Sequence, residues 1–432
     1  MLLNKGEIYA FITYTFIIYA SDKMQTQIYI IGGGAAGFMA AITTAETFRD
    51  AKVTILEKNR TVLNKVRISG GGRCNVTNAA DSVATLCKGY PRGAKFMRKP
   101  FEQFSNQDIV RWFTDRGVQL KTEPDGRVFP VSDNSQTIVD ALMHATAKAN
   151  VGIELSAGLA RINVLEVGFE LELLTNKKLY ADRIIITTGG NPQLSGYDWL
   201  ADLGHSISSP VPSLFTFNVP NSPFHELMGV AVQNAKVRVV GSKLESSGPL
   251  LFTHWGLSGP AVLKASAWGA RELADRNYEF VVLVNFTDFQ SNEAARTELS
   301  KNRTDAQFRN KLVKSQAVSN LPSRLWAKLV TMADIVDTMR WSDLPAKNLN
   351  RLAEYLTNCT FEVRGKTTFK EEFVTCGGLV LSEIDEKSMQ SKKHKGLFFA
   401  GEVLDIDGIT GGYNFQSAWT TAYLAGRSSG EL

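Results

Sequence analysis

Cysteine is scarce in this chain. Cys74, Cys87, Cys359 and Cys376 are spread over 432 residues with no CxxC pair among them. That excludes a disulfide framework and a zinc site, so no metal is expected, and it suits a reducing, cytoplasmic setting. Charge of one sign is lacking too. Against 43 Asp and Glu, 48 Lys and Arg leave a net +5 without a lysine or arginine block. On that balance no nucleic acid is expected as a partner, although a mild positive field helps to collect anionic cofactors. The apolar run Ile8–Ala20 has thirteen residues, too few to span a bilayer, so no stable membrane anchor is expected. Internal repeats and low-complexity tracts are absent. A second GxGxxG within a βαβ unit is missing as well, which leaves no dedicated nicotinamide domain.

What is present begins at Gln27. Ile28-Tyr29-Ile30-Ile31 reads as a buried parallel strand, followed by Gly32-x-Gly34-x-x-Gly37 and an alanine-rich helix from Ala35 to Thr47. Gly32 permits the tight turn, Gly34 admits a pyrophosphate to the backbone, and Gly37 lets the helix pack against the strand. A second strand, Lys52–Leu56, ends at Glu57, where the ribose-binding acid of a dinucleotide fold belongs. Residues 1–23 do not match this pattern. With Lys5 before the apolar run and Ala20-Ser21 after it they weakly resemble a signal peptide; the other reading is a start at Met24. Either way they are left outside the fold.

Further along, Lys65-Val-Arg-Ile-Ser-Gly-Gly-Gly-Arg73-Cys74-Asn75 places three glycines among cations, a loop able to wrap a ligand. Arg73 could pair with a phosphate or a substrate carboxylate. Residues 100–150 read as helices around the turn Glu123–Gly126, ending in a helix Ser135–Ala149 with a polar cap. A strand at Ile153–Leu155, a small antiparallel meander to Tyr180 and a buried strand to Thr188-Gly189-Gly190 follow. Proline-rich stretches set a boundary near 211. Beyond it, Leu214–Asn218, Val230–Val240 and Phe280–Phe286 alternate like antiparallel strands. The stretch from Asn292 to Asn358 is helical and charged, with breaks at Leu321-Pro322 and Leu344-Pro345. The strand Gly396–Ala400 then runs into Gly401-Glu402, and Gly411-Gly412-Tyr413-Asn414 opens a last helix to about Ala425. The expected division is 24–210, an insert at 211–365, and a return at 366–432.

With these residues laid out, the chain resembles a family. GxGxxG with Glu57, Ser69-Gly-Gly-Gly-Arg-Cys-Asn-Val-Thr-Asn78, Phe252-Thr-His254-Trp-Gly-Leu-Ser-Gly-Pro260, Thr375-Cys-Gly-Gly378 and the Gly401–Asn414 stretch are similar to the YhiN-type bacterial flavoproteins. These are also called the aminoacetone oxidase or BaiN family of NAD(P)/FAD-dependent oxidoreductases. The resemblance implies an α/β, Rossmann-like FAD-binding fold interrupted by a β-barrel-like plus helical insert. It also implies that Gly32, Gly34, Ala35, Ala36 and Gly37 hold the pyrophosphate, with Glu57 at the adenosine ribose and Lys58 beside it. Lys65, Gly71, Gly72, Arg73, Cys74 and Asn75 would approach the ribityl chain and flavin. Thr188, Gly189, Gly190, Gly401 and Glu402 would line the diphosphate side, and Gly411, Gly412, Tyr413 and Asn414 the pyrimidine edge of the ring.

For catalysis, His254 could reach a substrate over the flavin or merely bond backbone, and Cys74 could be a redox thiol or a small packing residue. The function expected is an FAD-dependent oxidoreductase acting on a small organic substrate, with NAD(P)H as a transient co-substrate. The alternatives are an amine-type oxidase using oxygen, an FAD-binding RNA-modification factor and a non-catalytic flavin module. The sequence assigns no oligomeric state.

Overall fold

A computed structural model describes residues 25–368 and 374–431. The expectation for residues 1–23 falls outside the described residues. The strand Gln27–Ile31 lies at the centre of a five-stranded parallel sheet, in the order 397–399, 183–186, 27–31, 52–56, 152–154. Ile30 stands between Ile185 on one side and Ile55 on the other. Successive side chains of a strand point to opposite faces. Ile28 and Ile30 accordingly join one core with Phe38, Ile55 and Trp419, while Tyr29 and Ile31 join another with Leu171, Ile186 and Phe399. Burial on both faces is why the strand is a continuous apolar run rather than an alternating one.

The helices Ala35–Thr47 and Tyr413–Ser428 pack together over this sheet. Their closeness depends on Gly426, where a Cβ would fall 2.6 Å from the Ala40 carbonyl oxygen. Strands 52–56 and 152–154 lie to one side of the first strand, and 183–186 and 397–399 to the other. The order therefore reverses at the first strand, and the crevice at the carboxyl ends of such a sheet is where α/β folds take ligands.

Between residues 100 and 150 the expectation needs correction. The turn Glu123–Gly126 joins two short strands, Leu120–Thr122 and Arg127–Pro130, and the second also pairs with Thr77–Asn78. Segments this short carry no readable period, and their partner lies some fifty residues earlier. The helix Gln136–Lys148 forms, but Ser135 does not cap it with its side chain. The Ser135 hydroxyl donates to the Arg67 carbonyl (2.6 Å), and Asn134 Oδ1 accepts from the Gln136 N–H instead (2.9 Å).

The chain leaves the parallel sheet after Ile186 and re-enters it at Leu397. In between it builds a seven-stranded antiparallel sheet in the order 359–364, 279–285, 231–239, 245–252, 256–258, 216–218, 366–367. The two ends of that order are consecutive in the chain, joined through Gly365. Its N–H donates to Tyr278 O (2.9 Å) and its carbonyl accepts from Asn218 N (3.1 Å). One residue thus closes the sheet into a barrel, and its φ of +92° suits glycine. The strand expected at Leu214–Asn218 is shorter, Thr216–Asn218, because Leu214 adopts φ +56° and kinks the chain. Helices Asn292–Thr304, Ser323–Met332 and Ala346–Thr357 share one apolar core with the barrel, running from Phe215 through Trp326 and Trp341 to Val363. An antiparallel ribbon, Ile207–Ser213 with Val374–Leu379, connects this unit to the parallel sheet.

Candidate nucleotide-binding site

The end of the first strand is shaped by collisions that glycine avoids. Gly32 has φ +115°, and a Cβ on Gly37 would sit 1.8 Å from the Gly32 carbonyl oxygen. Gly34, at the start of the helix, has nothing within 4 Å on its Cβ side and no side-chain cap on that helix end. The backbone there faces open space, with the unpaired N–H groups of a helix N-terminus behind it.

Glu57 is buried and already oriented. Its Oε2 accepts from the Gly33 N–H (2.7 Å), and its Oε1 accepts from the Asn59 backbone N–H (2.8 Å) and side-chain amide (2.6 Å). A carboxylate offers about four lone-pair positions; with three donors in place, one position is left for a ligand hydroxyl. Lys58 beside it is exposed.

The glycine run behaves differently from the loop expected. Residues 64–68 are helical; Ser69 then turns extended and Gly70, Gly71 and Gly72 take φ of 59°, 68° and 82°. Gly71 and Gly72 also have nothing within 4 Å on their Cβ side. Arg73 is engaged within the chain. Its guanidinium stacks on Phe129 at 4.0 Å and pairs with Glu123 (2.7 Å) and Asp133 (3.4 Å). Cys74 is fully buried, and burial pushes its thiol up to about 12, against a smaller pull from the Ser69 hydroxyl. A thiol so protonated is a packing group rather than a redox nucleophile.

The two most specific motifs, more than three hundred residues apart, are pressed together. With its amide oriented to satisfy both ends, Asn75 donates to Val128 O and Thr77 O and accepts from the Gly412 N–H (3.0 Å). Thr77 donates to Gln416 Oε1 (2.6 Å), and Asn78 donates to Gly411 O (3.2 Å). A Cβ on Gly412 would stand 2.4 Å from the Thr77 carbonyl group. The side chains of Tyr413 and Asn414 are occupied locally. Asn414 both accepts from and donates to the Gly408 backbone (2.8 and 3.0 Å), while the Tyr413 ring packs edge-on to Tyr90. Thr77, Asn78 and Gln416 carry this junction, and sequence reasoning gave them no role.

On the other side of the first strand, Thr187 donates to Ile31 O and Gly32 O (3.0 and 2.9 Å). Thr188 is exposed, and Gly189 (φ +78°) is open on its Cβ side. Gly401 (φ +79°) sits against Ala36, so the end of strand 397–399 meets the start of the first helix. Glu402 accepts from Lys65 Nζ (2.7 Å) on one oxygen and from the Thr375 N–H (2.8 Å) on the other. Both Lys65 and Glu402 were expected at the site; their pairing was not.

His254 is exposed on the turn Thr253–Gly256, its ring tilted 54° to that of Trp255 with centroids 3.5 Å apart. The barrel is tied down beside the Gly411–Asn414 turn by buried Asp407. Arg92 donates to Asp407 Oδ1 (2.6 Å) and to Ala267 O (2.5 Å), and Arg271 pairs with Asp405 (2.8 Å).

Gly34, Gly71, Gly72 and Gly189 all keep their Cβ side open, and Glu57 and Glu402 mark two strand ends of the sheet. An extended, hydroxyl-bearing dinucleotide fits this cradle. A family model described as HI0933-like protein Rossmann domain matches residues 26–428. The chain belongs to the HI0933-like family. This is the family that the SGGGRCNVTN and GGYN motifs resemble. The chain is 28% identical over 421 residues to the 3-dehydro-bile acid delta(4,6)-reductase of Clostridium scindens, covering 94% of this chain and 100% of that protein. It is 30% identical over 405 residues to the ribosomal RNA dihydrouridine synthase of Escherichia coli, covering 91% and 95% respectively. With the enzyme of that name from Haemophilus influenzae it shares 27% over 412 residues, 92% and 97% of the two chains. Among the described residues of this HI0933-like protein, no helix is long and apolar enough to cross a membrane.

Proposed function

We propose that this protein is an FAD-dependent reductase that saturates a carbon–carbon double bond conjugated with a carbonyl group. The row of open glycines at the carboxyl ends of the parallel strands carries the cofactor half of this reading. The reaction half is supported by the relatives' names. A delta(4,6)-reductase of a 3-dehydro-bile acid and a dihydrouridine synthase both add two hydrogens to such a bond.

When bound, FAD supplies the two electrons, which NAD(P)H docking transiently at the ring provides. The chain does the positioning. Glu57 offers its remaining lone pair to a ribose hydroxyl, and the N-terminus of helix 35–47 takes the pyrophosphate. The Thr188–Gly190 loop and Glu402 flank the linker. The N-terminus of helix 413–428, held in place through Asn75, favours negative charge at the pyrimidine edge of the ring. Cys74 is left with packing, and His254, exposed on its turn, is the candidate proton donor.

We favour a uridine in RNA as the substrate, in place of the earlier expectation that excluded nucleic acid. Residues 292–358 hold eleven Lys and Arg against seven Asp and Glu. There the segment around Leu312 runs antiparallel to the segment around Arg340, with Trp341 N donating to Lys311 O and Ser342 N to Arg309 O. Arg309, Lys311 and Arg340 are exposed along this paired ridge, Arg340 opposite Leu312, and none of the three has an ion-pair partner among the described residues. Such a ridge suits a phosphate backbone.

The test is anaerobic mixing with NADH and NADPH, followed by ribosomal RNA lacking dihydrouridine. Loss of the oxidised-flavin band at about 450 nm is expected with one nicotinamide, then a gain of two hydrogens on a uridine by mass spectrometry. Bleaching with reoxidation only by a small enone would move the substrate to the bile-acid-like class. A protein that cannot be loaded with FAD would refute the reading.

A further inference from the structure

Thr375 is the second residue of the strand Val374–Leu379, in the ribbon that joins the barrel to the parallel sheet. Its side chain is wholly buried, and its backbone N–H donates to Glu402 Oε1 (2.8 Å). Among the described residues its hydroxyl has no hydrogen-bond partner. Leaving a buried hydroxyl unpaired is costly, and folded chains rarely do it without a ligand or a strain to explain it. Thr187 offers the contrast, since its hydroxyl is satisfied by two backbone carbonyls.

The position of the orphan is specific. A Cβ on Gly190 would lie 2.3 Å from the Thr375 hydroxyl oxygen and 3.0 Å from Glu402 Oε1. The hydroxyl is therefore beside the Thr188–Gly190 loop and the Glu402 carboxylate, where the carboxyl ends of strands 183–186 and 397–399 meet. Gly189, its neighbour in that loop, is open on its Cβ side.

We propose that the Thr375 hydroxyl is a cofactor-positioning group that hydrogen-bonds an oxygen of the phosphate–ribityl linker of FAD. The inference rests on the FAD reading above and adds a residue to it. Every other group assigned to the cofactor comes from the parallel-sheet part of the chain or its C-terminal helix. Thr375 comes from the ribbon, so seating the linker also fixes the strand from which the barrel hangs.

The experiment compares the full-length protein with Thr375→Val, which keeps the shape, and Thr375→Ser, which keeps the hydroxyl. FAD affinity is read by flavin fluorescence and thermal stability is read with and without FAD. Thr375→Val is expected to weaken FAD binding about tenfold while leaving the FAD-free protein as stable as the wild type or more so. Thr375→Ser is expected to bind FAD within about twofold of the wild type. Unchanged FAD affinity in Thr375→Val, with a wild type that binds FAD, overturns this inference alone. Destabilisation of FAD-free Thr375→Val also overturns it, because the hydroxyl would then have a structural partner. A wild type that does not bind FAD removes the parent reading as well.

Discussion

The parallel-sheet half and the barrel half bury very different things. The barrel's core is aromatic, with Phe217, Phe252, Phe280 and Phe361 meeting ring to ring and Trp326 stacked on Trp341. The interior of the other half is threaded by polar bonds. Thr77, Gln416 and Thr420 form a buried chain ending on Phe104 O, and Gly401 N donates to Thr421. An apolar core tolerates exchange of similar volumes, whereas a buried polar network fails when one member is lost. The difference fits the proposal that the parallel-sheet half holds the cofactor and the barrel half supports it.

The hardest break in that comparison is a contrast of two glycines in one turn. Gly37→Val drives a side chain into the Gly32 carbonyl and is expected to cost at least about 3 kcal/mol, with FAD binding lost. Gly34→Ala should leave stability within about 0.5 kcal/mol of wild type and weaken only FAD binding. Urea denaturation and FAD titration of the two variants read both effects, and equal stabilities would remove the distinction.

On the barrel side, Arg309→Gln, Lys311→Gln and Arg340→Gln together are expected to weaken RNA binding at least about tenfold and to lower the salt slope by about three. Flavin bleaching by the nicotinamide should not change. A gel-shift series in salt decides this, and an unaltered slope would send the RNA elsewhere on the surface.

The smallest effect is a dependence on pH that belongs to the parallel-sheet half alone. His205 is buried between Glu383 (2.9 Å) and Ser391 (3.2 Å), and its burial lowers its pKa more than Glu383 can raise it. With the folded pKa below the ordinary value of about 6.5, stability is full above that pH and falls as pH drops through it. Burial alone would raise Glu383, but Lys393, His205 and the Ser206 N–H outweigh it and bring the carboxyl to about 2. Its contribution is therefore present above about 4.5 and lost as pH falls towards 2. Unfolding curves across pH should show both stages, and His205→Gln should remove the first.

Much of the parallel-sheet half could be read in advance because its signals are local. Ala35–Thr47 and Lys52–Leu56 form as expected, since a glycine turn, an alanine-rich stretch and a β-branched run lie side by side in the chain. The hairpin at 120–130 and the barrel strands 245–252, 256–258 and 359–364 were not readable: the hairpin strands and 256–258 are too short to carry a period, Gly248-Pro249 interrupts 245–252, and 359–364 pairs with 279–285, some eighty residues earlier. The site divides in the same way. Glu57 and Glu402 could be named from their places after strands, but the Asn75–Gly412 and Lys65–Glu402 contacts are decided by tertiary closure. Thr375 lies inside the Thr375–Gly378 motif, yet only its burial without a partner among the described residues points to the role proposed for it.

The position of strand 397–399 sets an order of events during synthesis. Its neighbour in the sheet, 183–186, emerges some two hundred residues earlier, and the entire barrel is made in the interval. The nascent chain therefore carries a sheet with an exposed edge until the barrel is built and the last strand can be added. Glu402 and the Gly412 turn arrive only with that strand, so on the proposed FAD reading cofactor retention would report that the parallel sheet has been completed.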